Sequence, residues 1–160
     1  MADLYAGKIC AALDRQHPRD LFDVKFLLEN EGLTAEIRKT MLVYLMSHNR
    51  PMAELLRPQY KDISKVYSAE FANMARTTVS VNDLLAVRER LVDTIHQELT
   101  ASEKSFLLSF KNRTPDWSIL GLEGISKLPA IKWKQMNLAK MPDGKHKLAL
   151  EKLKTALSMT

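Results

Sequence analysis

The sequence predicts an all-α protein of about seven to nine helices. Apolar residues recur at the 3.6-residue period of a helix through most of the chain, as at Leu84, Val87, Leu91, Val92, Ile95 and Leu99. No stretch alternates apolar and polar residues with period two for long enough to build a sheet. The five glycines and six prolines sit at spacings that punctuate the chain, often beside residues that cap helices.

The first helix is expected over residues 3–14, with Asp3 as N-cap and Tyr5, Ile9, Ala12 and Leu13 along one face. Pro18 suits the first position of a second helix running to about Asn30, because the N–H it lacks is one that a helix start leaves unused. Gly32 can end that helix. Thr34 opens a third, in which Ile37, Met41, Tyr44 and Leu45 recur at i, i+4, i+7 and i+8. Pro51 and Pro58 bound a short helix or turn around Met52–Leu56, and a polar stretch near residues 61–68 precedes a short helix at 69–76. Ser80 and Asp83 have the spacing of a capping box and open the clearest helix of the chain, with Arg88, Glu89, Arg90 and Asp93 largely outside its apolar stripe. Thr100 and Glu103 repeat that spacing for a helix through Phe106 and Phe110 to about Asn112. Pro115, Asp116 and Gly121 mark a turn region. Two helices then finish the chain, Pro129–Lys140 and residues 144–157, the latter with Leu150, Leu153 and Leu157 on one face. No internal repeat or low-complexity linker divides residues 1–160, which read as a single helical domain.

With 46% apolar and 27% charged residues, the chain has the makings of a packed core and is neither disordered nor fibrous. No apolar run approaches the roughly 20 residues that span a bilayer, and the start MADLYAG lacks the basic and apolar regions of a signal peptide, so a cytoplasmic location without membrane contact is expected. The single cysteine, Cys10, lies between Ile9 and Ala11, which favours a buried structural thiol over a nucleophile. The net charge of +5 is unevenly placed: residues 1–100 hold 13 Lys+Arg against 14 Asp+Glu, whereas residues 101–160 hold 11 against 5. The basic C-terminal helices, through Lys132, Lys134, Lys145, Lys147, Lys152 and Lys154, are candidate contacts for the phosphates of a nucleic acid. A solvated lysine face that keeps the domain soluble explains the same residues.

Standard catalytic motifs are absent: there is no GxxxxGK[ST], GxGxxG or HExxH. His17, His48, His96 and His146 are too dispersed for a local metal motif, and surface or capping roles are expected for them. No metal-binding cluster is read from the sequence. Trp117, beside Pro115 and Asp116, reads as a loop anchor, and the helical spacing around Trp133 favours core packing over stacking on a base.

One cluster stands apart. Residues 8–23, KICAALDRQHPRDLFD, place Lys8, Arg15, Arg19, Asp20 and Asp23 on two helices of a pair spanning residues 1–32 that meet at His17–Pro18. Lys8 and Arg15, two turns apart, share a face of the first helix. Asp20 and Asp23 are i, i+3 neighbours on the second, where Arg19 and Asp23 are also i, i+4. A tight bend brings cations towards carboxylates. Cations there would neutralise phosphate oxygens and a carboxylate would accept a proton, the parts of a nucleotide site. A network of salt bridges stapling the two helices is the alternative.

The run DLYAGKICAALDRQHPRDLFDV resembles the third motif region of the AbiEii/AbiGii-type toxin nucleotidyltransferases, a lysine followed by R…RD..D. The resemblance continues, less specifically, through VNDLLAVRERLV, FLLSF, PDW and LPAIKWK to NL and KM, and so covers almost the whole chain. It implies the C-terminal helical part of a polymerase-β-like nucleotidyltransferase from a toxin–antitoxin or phage abortive-infection system. Such an enzyme moves a nucleotide from an NTP to an acceptor, here expected to be RNA such as tRNA, and has a cognate antitoxin as partner. On this resemblance Lys8, Asp20 and Asp23 are the candidate catalytic residues, and Lys8, Arg15 and Arg19 the candidate nucleotide contacts. Complete members also carry an N-terminal half with a Gly-Ser motif for the triphosphate and a D-x-D pair for Mg²⁺. Neither motif occurs here: no glycine is followed by serine and no two aspartates stand two apart. The expectation is therefore an isolated chain that is inactive without that half, Mg²⁺ and NTP being bound only by the complete enzyme.

Overall fold

The computed structural model describes residues 1–73 and 79–158, and among them finds ten α-helices and no strand. Seven of these run eleven residues or more, namely α1 (Ala2–Arg15), α2 (Pro18–Asn30), α3 (Ala35–Ser47), α6 (Val81–Glu98), α7 (Ala101–Lys111), α9 (Pro129–Lys140) and α10 (Asp143–Ser158). Three are short, α4 (Met52–Leu56), α5 (Ser64–Val66) and α8 (Trp117–Leu120). The all-α expectation holds. No helix among the described residues is long and apolar enough to cross a membrane.

Local chemistry sets the boundaries. Pro18 occupies the first turn of α2, and the N-cap residue His17 accepts a hydrogen bond from the Arg19 N–H through Nδ1. Gly32, at φ +72°, donates its N–H to the Leu27 carbonyl beyond the end of α2, a left-handed step that costs glycine little. Thr34 caps α3 by accepting from Ile37 N–H, and Ser80 with Asp83 closes a reciprocal capping box at α6.

Three local expectations are corrected, two at helix starts and one in a cap. Asp3 does not cap α1, whose helix begins at Ala2; its carboxylate instead accepts from the Tyr44 hydroxyl at 2.8 Å, joining α1 to α3. Thr100 caps α7 by accepting from Glu103 N–H, but the Glu103 carboxylate is turned inward to Arg38, with both oxygens within 2.8 Å of Nε, so no reciprocal box forms. The helix expected at 69–76 starts earlier, as α5 followed by a π-turn at Tyr67–Phe71. Residues 74–76 of that expected helix lie outside the described residues.

The core is one cluster. α1 packs against α2 and α3, α2 also packs against α6, and α10 packs against α4 and α7. Ile9, Leu21, Met41, Leu42, Leu45, Leu84, Phe106 and Phe110 are at most 1% exposed. Phe22 links Phe26 on α2 to Phe71 of the π-turn, so aromatic contacts hold the chain after α5 against α2.

Polar residues also enter this core. Arg88 is buried despite its expected place outside the α6 stripe, because it stands four residues after Leu84 and four before Val92 and so flanks their face. His96 and His146, expected at the surface or in caps, are buried, each donating Nε2–H to a backbone carbonyl, of Leu56 and Lys111 respectively. Cys10 is buried as expected, and burial, aided by Asp14, pushes its thiol up to about 12, which leaves it protonated and inert at neutral pH.

Candidate functional site

The helical hairpin α1–α2 carries the charged cluster. Its reversal at Gln16 and His17 is tight because Gln16 adopts a left-handed conformation, φ 55°, and donates its N–H back to Ala12, after which Pro18 restarts the helix. A hairpin of this kind pairs residues near the bend with each other and residues far from it with each other. Two ionic rungs result.

In the rung near the bend, Arg15 Nη2 donates to both oxygens of Asp20, at 3.1 and 2.9 Å. Arg15 is mostly exposed while the Asp20 side chain is only 13% exposed, so the guanidinium closes over the carboxylate. In the far rung, Lys8 Nζ donates to Asp23 Oδ2 at 2.6 Å, with both side chains about one-third exposed. Lys8 and Asp23 thus converge on an edge open to solvent. An ammonium has three donors, and the described contacts use one of those of Lys8. Arg19 lies on the exposed side of α2. His17 Nε2 pairs with Glu70 at 2.8 Å and ties this corner to the π-turn.

These carboxylates do not form a metal cage. Among the described residues no group of three or more His, Cys, Asp or Glu side chains could hold an ion, and Asp20 and Asp23 are each engaged by a cation. A divalent ion needs several oxygens around it, so the hairpin does not fit Mg²⁺ by itself.

A second polar centre, absent from the sequence reading, lies on the other flank of α1. Gln16, 1% exposed, donates Nε2–H to the Gln59 carbonyl and accepts from Lys61 N–H and Arg88 Nη1, while Arg88 Nη1 also donates to the Lys61 carbonyl. The Arg88 guanidinium stacks 4.4 Å from the Tyr60 ring. Arg88 Nε has no partner among the described residues. The signal that could have found this centre is the position of Arg88 between Leu84 and Val92.

The C-terminal lysines divide. Lys132, Lys145, Lys147, Lys152 and Lys154 are exposed, and Lys154 reaches Glu151 at 3.3 Å. Lys134 does not join that surface: its ammonium donates to the His48 carbonyl at 2.8 Å, and burial lowers its pKa. Burial, and then the charge of Lys134, lower that of Lys111 as well. Trp117 is an anchor, its ring against Phe106 and Phe110 at 5.6 and 6.0 Å between centroids, but it stands at the start of α8 and not in the loop expected. Trp133 is not in the core: it is 53% exposed, because Ile131 and Leu138 supply the buried face of α9 and Trp133 projects elsewhere.

The family model described as "Nucleotidyl transferase AbiEii toxin, Type IV TA system" matches residues 1–136, taking in both rungs of the hairpin. The chain belongs to the AbiEii nucleotidyltransferase toxin family. Searches of curated proteins and of solved structures returned no match. Membership makes this a chain of a toxin from a toxin–antitoxin system, a class partnered by an antitoxin. The AbiEii match ends within α9, so α10 and its lysines lie beyond it.

Proposed function

We propose that residues 8–23 form one wall of a nucleotidyltransferase site that transfers a nucleotide from an NTP to an acceptor, expected to be RNA. What supports this reading is the pairing of Lys8 with Asp23 at an open edge, in the segment that also carries the family resemblance. Lys8 would give its remaining donors to phosphate oxygens, where charge grows as the bond to the leaving pyrophosphate lengthens. Asp23 would accept the proton of the attacking hydroxyl, and Arg15 would hold Asp20 so that the wall keeps its shape. Mg²⁺ and the triphosphate would be held by Gly-Ser and D-x-D ligands from outside residues 1–160, and the chain alone is expected to be inactive. The test is an alanine substitution at the position of Lys8 in a family member that carries all these motifs. Toxicity and NTP incorporation should fall about a hundredfold or more while thermal stability is kept; retained toxicity would withdraw the site assignment.

A second reading, a non-catalytic RNA- or protein-binding module, is favoured by the closure of Asp20 under Arg15 and by the exposed lysines of α9 and α10. RNA affinity that falls steeply with salt, and is lost on reversing the charge of Lys145, Lys147, Lys152 and Lys154, would support it. Affinity indifferent to those changes would return the lysines to a solubility role.

A further inference from the structure

A cleft of about 760 Å³ opens between the C-terminal end of α1, α4, the segment 57–61 and α10. Its volume suits a ligand the size of one nucleotide. Leu13 and Asp14 line it, and at 100° per residue Asp14 stands roughly 120° around α1 from Lys8, so the cleft is separate from the Lys8–Asp23 edge.

The cleft contains a prepared aromatic surface. Tyr60 lines it and is 46% exposed. Arg88 is not part of the lining; it backs the ring at 4.4 Å and is itself held by Gln16 and the Lys61 carbonyl. One face of the ring is therefore fixed from the core side, and the ring is presented to the cleft without the loss of freedom a loop tyrosine would suffer on binding. A flat π surface of this kind receives a nucleobase. Leu148 on α10 is 67% exposed and adds an apolar side to the same cleft.

The cleft also contains a cation available to an anion. Arg50 is engaged by Asp14 at 2.7 Å and Glu54 at 3.4 Å, and Lys61 Nζ donates to the Asp14 carbonyl. Lys152, exposed on α10, makes no hydrogen bond or ion pair with another described residue. We propose that this cleft binds a nucleoside phosphate, its base stacked on Tyr60 and its phosphate at Lys152. Because α10 lies beyond the residues matched to the family, the phosphate end of this site is supplied by a part of the chain that the family match does not cover.

The same chemistry is offered by a free mononucleotide and by a unit of an RNA strand, and calorimetric titration of the full chain separates them. The probes are AMP, pentaadenylate, adenosine and ribose 5-phosphate. AMP should bind about tenfold more tightly than ribose 5-phosphate, and Tyr60→Ala should remove about that factor while Tyr60→Phe keeps it. Lys152→Glu, a surface change that leaves folding alone, should weaken AMP and pentaadenylate but not adenosine. Pentaadenylate binding tenfold or more tighter than AMP would mark an RNA strand as the occupant, and equal affinity a mononucleotide; either supports the proposal. No binding of either probe at millimolar concentration, or affinities unchanged in both Tyr60→Ala and Lys152→Glu, would overturn it. So would a loss of AMP binding in Lys8→Ala alone, which would move the ligand to the hairpin edge.

Discussion

The α1–α2 edge and the interior between α3 and α7 each hold an ion pair of nearly the same length. Lys8 and Asp23 meet at 2.6 Å with side chains 33% and 39% exposed; Arg38 and Glu103 meet at 2.7 Å with side chains 11% and 6% exposed. Geometry alone would rank them as equals. Water separates them: at the edge the solvent screens the attraction and solvates either partner when the other is removed, whereas in the interior a lone charge has no replacement for its partner. An exposed pair can therefore serve a ligand at little cost to the fold, and a buried one is confined to structure.

That contrast is most sharply broken or upheld by Arg38→Ala, which leaves the Glu103 carboxylate buried and unpaired. Urea unfolding should show a loss of about 3–5 kcal/mol, and replacing both residues by Met and Leu should restore most of it. A loss below about 1 kcal/mol would mean that water reaches Glu103. Next in size is the buried network that joins Gln16 to Arg88. Gln16→Ala strips partners from Arg88, from the Lys61 N–H and from the Gln59 carbonyl, and thermal unfolding should report a loss of about 1–3 kcal/mol.

A smaller effect should come from pH. Burial lowers the pKa of His96 from its usual 6.5 and its Nδ1 has no partner among the described residues, so protonation would add an orphan donor inside the protein. Below pH 6.5 the unfolded chain binds a proton that the folded chain resists, so stability should fall as pH drops from 6.5 towards the lowered value. His96→Gln should flatten that part of the stability profile; an unchanged slope would assign it to other groups. The least effect belongs to the exposed rung of the hairpin: Asp23→Asn and Lys8→Ala should each change stability by less than about 1 kcal/mol at moderate salt. A larger loss at Lys8 would turn the proposed wall of the site into a structural staple.

How much was legible differs between these same regions. Helical period placed Lys8 with Arg15 and Asp20 with Asp23, and Pro18 marked the reversal, so the encounter of cations with carboxylates was readable from residues 8–23 alone. Which cation takes which carboxylate was not, since that depends on the register of the hairpin. The Arg38–Glu103 and Gln16–Arg88 contacts span 65 and 72 residues, and no local pattern announces a partner at that distance. Glu103 even carried a false local signal, the spacing of a capping box. Trp133 misled in the same way, because a helical stripe tells which residues share a face but not which face meets the core.

By itself the sequence determined the all-α class, most helix boundaries, the hairpin and its charged residues, since each follows from backbone geometry and contacts within a few turns. Tertiary structure alone decided which charges are buried, which flank of α1 faces the Tyr60 cleft, and that Trp133 stands in solvent. Those outcomes depend on desolvation, and a side chain loses its water only when a distant part of the chain packs over it.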